Sequence, residues 1–266
     1  MDKRPTKART RSGARIEIPT KWLICCEGKS EAVYFTDLVN LLANFSGKKN
    51  HGIYIGLKNK ECGKKRIPGE CSRQNISLLQ RVETCAGTGF YERVWLVFDY
   101  DADGQEEKEK INKAFINTIT GADKLSYGAA WSIPCFEYWL VSHYKFVDAC
   151  TIKMLYDDLK DKFKTAMASK PMCNKNYRSI PREQHCNKPQ PYVCSKCIKK
   201  PYYNSITCLG GLGGIKIANM NSKRNYASNN DKISQSKFTE ISCCTSVFIL
   251  VDELFKYFEI DKNLLQ

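Results

Sequence analysis

Apolar residues gather in short unbroken runs in the first half of the chain, with helically spaced stretches between them. Trp22 to Gly28, WLICCEG, is nearly continuous in apolar side chains and then ends in an acid and a glycine. That is the pattern of a strand buried on both faces. In KSEAVYFTDLVNLLANF the apolar residues Val33, Phe35, Leu38, Leu41 and Leu42 fall at helical spacing. HGIYIGLKN reads as a second strand, and CSRQNISLLQRVETCA as a helix with Ser72 or Asn75 near its start. RVWLVFDYD is a third strand, GQEEKEKINKAFINTI a charged amphipathic helix, and LSYGAAWSI a short fourth strand. PCFEYWLVSHYKF reads as helical, with Pro134 in the first turn, where a missing N–H costs nothing. This alternation predicts an α/β chain whose sheet is mostly parallel and carries helices on both faces.

The pattern changes after residue 150. TIKMLYDDLKDKFKTAM is a helix; residues 170–214, rich in Pro, Asn, Cys, Lys and Tyr and ending in LGGLGG, read as an insertion. IKIANMNSKRNYAS returns to helical spacing, and CCTSVFILVDELFKYFEI closes with an apolar helix expected to pack on the sheet. The expected organisation is a flexible basic arm over 1–20, an α/β domain over 21–150, and a helical C-terminal part over 151–266 holding the insertion.

Composition narrows the function classes. The formal net charge is +14 over 266 residues, an excess that favours phosphate-rich partners through counterion release. No apolar run approaches the length that spans a bilayer. The basic first residues lead into no apolar secretory core, so a cytoplasmic protein without membrane attachment is expected. Fourteen cysteines without a secretion signal point to reduced thiols rather than a disulfide framework. Cys25, Cys26, Cys243 and Cys244 lie in apolar runs and are expected in the core.

Against this basic background the acids at two strand ends stand out. One strand delivers Glu27, with Glu31 on the helix that follows; the other delivers Asp99, Asp101 and Asp103. Open parallel sheets build sites at the carboxyl ends of their strands. Asp99 and Asp101 are two apart, which in an extended chain points both to one side. Carboxylates that close repel unless a cation lies between them, and such oxygen ligands suit Mg²⁺ or Mn²⁺. The competing reading of DADG is an ordinary turn or helix cap. Glu137 sits in an apolar helix, where a charge needs a compensating partner, a metal or solvent. His143, among aromatics, is expected as a packed core residue.

An apolar strand ending in Glu27-Gly28, and a later one ending in Asp99-Tyr100-Asp101-Ala102-Asp103-Gly104, resembles the Toprim domain of topoisomerases, primases, small RNA-maturation nucleases and OLD-type nucleases. The likeness covers about residues 20–145 and implies a Rossmann-like sheet. ICCEGKSEAVYF, VWLVFDYDADG, SIPCFEYWLVSHY and CTSVFILVDEL occur in the order seen in the RloB-like family, Toprim-related bacterial proteins associated with phage defence and restriction loci. Ile133 departs from the asparagine usual there. The resemblance implies metal ligation by Glu27, Asp99 and Asp101, with Asp103 as a further ligand or a helix cap. It also implies a role for Glu31 at the same cation, and for Glu137 at a second metal or in orienting substrate. Lys29 is a candidate phosphate contact or a solvated loop lysine.

In the insertion, Cys194-x2-Cys197 has the spacing of a zinc knuckle. Cys173 and Cys186 complete the expected structural Zn²⁺ set, with His185 and Cys208 as alternatives, and a basic loop with incidental thiols as the competing reading. Lys199 and Lys200 lie beside Lys196, Tyr202 and Tyr203, an interleaving of charge and rings that suits nucleic acid. The function expected is a metal-dependent Toprim nuclease acting on DNA or RNA, tRNA included, in anti-phage defence. A partner ATPase would control it, and a homodimer is a further expected assembly. The alternative is a non-catalytic regulatory module that binds nucleic acid or a nucleotide.

Overall fold

A computed structural model of the chain describes residues 20–57, 77–87, 89–100, 108–167, 206 and 209–261, apart from the side chains of residues 29, 57, 108, 160 and 163–167. In chain order the elements are β1 (Lys21–Cys26), α1 (Lys29–Ser46), β2 (Gly52–Leu57), α2 (Leu78–Gly87), β3 (Arg93–Asp99), α3 (Lys108–Lys124) and β4 (Gly128–Ile133). There follow α4 (Glu137–Ser142), α5 (Ile152–Met167), α6 (Gly211–Ser228), α7 (Asn230–Ser234), a 3-10 turn (Phe238–Glu240), β5 (Cys244–Thr245) and α8 (Val247–Tyr257). The strands form one sheet in the order β2-β1-β3-β4-β5. The pairs β1–β2, β1–β3 and β3–β4 are parallel, and β4–β5 is antiparallel.

The near-continuous apolar strands are explained by cover on both faces. Side chains alternate across a strand. Trp22, Ile24, Cys26, Trp95, Val97 and Ala130 therefore join a core with α1, α4, α5, α6 and α8. Leu23, Cys25, Val94, Leu96, Phe98, Trp131 and Ile133 join a second core with α2, α3 and Phe238. Cys25, Cys26, Cys243 and Cys244 are buried and form no disulfide, and α8 packs on the sheet through Val247, Leu250, Val251 and Leu254.

Several boundaries differ from the sequence reading for local reasons. α2 begins after Ser77, whose hydroxyl accepts from Gln80 N–H (3.2 Å) while Gln80 Oε1 accepts from Ser77 N–H (3.0 Å). This is the reciprocal Ser-x-x-Gln capping box. α4 begins at Glu137 rather than Pro134. The Ile133–Pro134 bond is cis, and Tyr138 N–H donates to Cys135 O in the turn that opens the helix (3.0 Å). α6 begins at Gly211, inside the stretch expected to close the insertion. Gly210 and Gly211 have φ of 95° and 57°, and a Cβ on Gly214 would fall on the Leu209 carbonyl. The glycines thus turn the chain sharply and let the first turn of α6 lie close against the Leu209 carbonyl. β5, two residues long, was hidden in the run read as helix. Its Thr245 hydroxyl donates to Trp131 O (2.8 Å), and the Ser246 hydroxyl accepts from Trp131 N–H (2.9 Å). Hydroxyls so extend the ladder along the outer edge of β4.

A carboxylate cleft at the end of the parallel strands

β1 leads leftward in the sheet to β2, while β3 lies on its other side, so β1 and β3 flank the point where the strand order reverses. Crevices form there, beyond the strand ends. Glu27 is the first residue after β1, and its N–H still donates to Val97 O of β3 (2.8 Å). Asp99 ends β3, paired with Ser132 of β4. β4 then turns through Pro134, Cys135 and Phe136 into Glu137, the first residue of α4. Three strand ends thereby bring Glu27, Asp99 and Glu137 to one place, and α1 adds Glu31 from its first turn. The four carboxylates line one cleft of about 130 Å³ with Gly28, Ser30, Cys135, Phe136 and Tyr156.

The environment of each acid differs. Glu27 and Asp99 are half-buried, whereas Glu31 and Glu137 are each only 4% exposed. Glu31 stands at the third position of α1, from which a glutamate reaches back to the start of its helix and meets the positive end of the helix dipole. Gly28 makes room for it. A Cβ there would fall on Glu31 Oε2 and lie 2.9 Å from Oε1. Glu31 therefore combines a capping position with a place in the cleft.

Glu137 is tied to Cys135. The Cys135 thiol donates to the Glu137 carboxylate, and Glu137 N–H donates back to the sulfur. Burial first, then the charges of Glu137 and Asp99, push this thiol far above the usual cysteine range. Cys135 is thus a protonated donor lodged between two carboxylates rather than a nucleophile. Neither Cys135 nor Tyr156 was singled out from the sequence. Cys135 sits two residues before Glu137 in the quoted PCFE block, a signal that was present. Tyr156 carries no local signal and reaches the cleft only because α5 packs beside α4.

His143 is a core residue, 1% exposed. Its Nδ1 lies 3.0 Å from Trp139 O, so it carries the proton, and Nε2 accepts from the Tyr34 hydroxyl (3.0 Å). Burial pushes its pKa down to about 4. Asp101, Asp103, Cys173, Cys186, Cys194, Cys197, Lys199 and Lys200, as well as the Lys29 side chain, lie outside the described residues. Among the described residues, no group of three or more His, Cys, Asp or Glu side chains converges closely enough to hold a metal ion. Also among them, no helix is long and apolar enough to cross a membrane.

No curated protein matches the chain, and no solved structure does. The family model of the RloB-like proteins matches residues 22–254, a span that takes in all of β1 but Lys21, the whole carboxylate cleft, β5 and most of α8. The cleft and the C-terminal elements that pack behind it fall within one continuous family match, and the chain belongs to the RloB-like protein family.

Proposed function

We propose that the chain is a divalent-metal-dependent nuclease that hydrolyses phosphodiester bonds at the carboxylate cleft. The observation that carries this reading is the convergence of Glu27, Glu31, Asp99 and Glu137 from separate segments at the strand ends of a strongly basic chain. Without a cation the cleft repels phosphate, and the net charge of +14 has no use there. With one, both charges serve a single purpose.

The residues fit such an ion by their donor chemistry. All four are hard carboxylate oxygens, and Mg²⁺ uses one or two carboxylates with waters and phosphate rather than a closed protein cage. An open set of acids that does not close on a centre by itself is compatible with that habit. A bound ion would supply Lewis-acid stabilisation of the phosphoryl group and a more acidic water. Glu27 and Asp99, fixed by the β1–β3 ladder, would hold it. Glu31 and Glu137 would add negative charge from two helix starts, and the Cys135 thiol would keep the Glu137 carboxylate turned inward.

The substrate class is DNA or RNA, tRNA included. A defence role under a partner ATPase rests on the family resemblance. The test is cleavage of DNA and RNA panels with Mg²⁺ or Mn²⁺, with EDTA and Asp99→Ala as controls. Cleavage that needs both the metal and Asp99 supports the proposal; equal cleavage by wild type and Asp99→Ala overturns it. The second reading is a binding module without turnover. Metal-dependent retention of nucleic acid with no cleavage, partner present, would select it.

A further inference from the structure

Of the described residues lining the carboxylate cleft, Glu27, Gly28, Asp99 and Tyr156 are half-exposed and the others are buried. These four are what an entering molecule meets first. Glu27 and Asp99 offer negative charge and acceptor oxygens, and Gly28 has no side chain. Tyr156 is therefore the one half-exposed residue of that lining whose side chain donates a hydrogen bond. The lining's other side-chain donors, Ser30 and Cys135, are buried, and the Cys135 thiol already donates to Glu137.

Tyr156 also differs from the rest of the lining in origin. The other residues come from the ends of β1, β3 and β4 and from the helices that follow β1 and β4, whereas Tyr156 alone comes from α5. That helix is firmly seated. Leu155 and Leu159, its neighbours along the chain, are fully buried in the core under the sheet. Thr151 caps the helix start, its hydroxyl accepting from Met154 N–H (3.3 Å). A side chain carried by a packed helix keeps its place more closely than one on a loop. The surface of the cleft is predominantly polar. The hydroxyl of Tyr156 suits such a surface and its ring face does not, so the residue serves as a donor rather than as a platform for stacking.

A phosphodiester carries its negative charge on two non-bridging oxygens. Four carboxylates surround the place where it would react, and like charges repel strongly where water is partly excluded. A cation offsets part of that repulsion, and a hydrogen-bond donor aimed at the phosphate offsets more, since bonds to charged acceptors are the strong kind. We propose that the Tyr156 hydroxyl donates to a non-bridging oxygen of the scissile phosphodiester and so holds the phosphate in the cleft. The proposal rests on the reading of the cleft as a phosphodiester site, and it names the side chain from outside the acidic set that contacts the substrate there.

The test is fluorescence anisotropy of labelled single-stranded DNA and RNA oligonucleotides with the full chain, in Ca²⁺, which takes the same oxygen ligands, and in EDTA. The difference separates metal-dependent binding at the cleft from general attraction to a basic chain. Tyr156→Phe, which keeps the ring, should weaken the metal-dependent binding about tenfold. It should leave binding in EDTA and Tm unchanged, and Tyr156→Ala should lose no more than Tyr156→Phe. Equal binding by wild type and Tyr156→Phe in Ca²⁺, a loss confined to Tyr156→Ala, or no metal-dependent binding by wild type would overturn the contact. Binding that falls in Tyr156→Phe while no cleavage occurs in Mg²⁺ keeps the contact and removes the nuclease reading. Cleavage that needs Asp99 but not the Tyr156 hydroxyl does the reverse.

Discussion

The two edges of the parallel sheet are built from the same strands to opposite ends. At the N-terminal edge every contact is a closure. The Tyr257 hydroxyl accepts from Gly52 N–H (3.2 Å) and donates to Thr20 O (3.3 Å), and its ring meets Trp22 edge-on at 5.0 Å. Glu92 N–H donates to Lys21 O (2.7 Å), and His51 packs on Phe258. At the C-terminal edge two strands end in half-buried acids, Glu27 and Asp99, and two helix starts add the almost fully buried Glu31 and Glu137. Burying like charges together opposes folding. The contrast teaches that the packing contacts which close the sheet lie at one edge, and that the other carries clustered like charges whose burial opposes folding.

The largest expected effect breaks the second edge. Asp99→Ala should lower metal-dependent cleavage about a thousandfold, about 4 kcal/mol of transition-state stabilisation. Tm should stay unchanged or rise, because one of the clustered charges is gone. Glu137→Gln should do the same while keeping the partner of the Cys135 thiol. A fall in Tm without loss of cleavage would make these acids structural and remove the contrast.

Between the two edges, α4 starts with an acid in the cleft and leads to a neutral histidine in the core. His143 is held near pKa 4 when folded, against about 6.5 in the unfolded chain. The unfolded chain binds the extra proton between these values. The stability due to the neutral ring is complete above about pH 6.5 and is lost as pH falls toward 4, up to about 3 kcal/mol. Asp37, pushed up to about 6 by burial, acts oppositely, since its contribution falls as pH rises through that window. The measurement is therefore a difference. Denaturant midpoints of wild type should drop relative to His143→Gln between pH 6.5 and 4, and parallel curves would refute the buried neutral ring.

How much of this was legible depended on whether the determinant was local. β1 and β3 could be read because strands covered on both faces are apolar throughout, and their acids mark where the cover ends. The grouping of Glu27, Asp99 and Glu137 follows once the sheet is parallel, since all three stand at the same ends. β5 was not legible. Two residues carry no period, and Thr245 and Ser246 work through hydroxyls that bond to a strand more than 100 residues earlier. The start of α6 was missed because glycines normally mark loops, whereas here Gly214 serves close approach to a carbonyl. The Ser77 cap was missed although its Ser-x-x-Gln signature is plain in the sequence.

A smaller effect sharpens the role of Gly28. In Gly28→Ala the new methyl group meets the Glu31 carboxylate, a movable side chain, so the fold should survive with little change in Tm. The displaced carboxylate should lower cleavage about tenfold to thirtyfold, about 1.4–2 kcal/mol. Loss of stability without loss of activity would assign Glu31 to capping alone.

The smallest effect tests whether the N-terminal edge is as separate as its contacts imply. Tyr257→Phe keeps the ring against Trp22 and removes only the hydroxyl, leaving Gly52 N–H and Thr20 O without it. Thr20 is exposed and Tyr257 half-buried, so water can replace part of what is lost, and the cost should be about 1 kcal/mol. In a chain of this size that lowers Tm by about 2–4 °C. Cleavage measured well below Tm should be unchanged, because Tyr257 lies at the far end of β1 from Glu27. A drop in activity larger than the loss of folded protein would mean that the register of β1 against β2, held at Lys21 and Gly52, is transmitted along the strand to the acid at its other end.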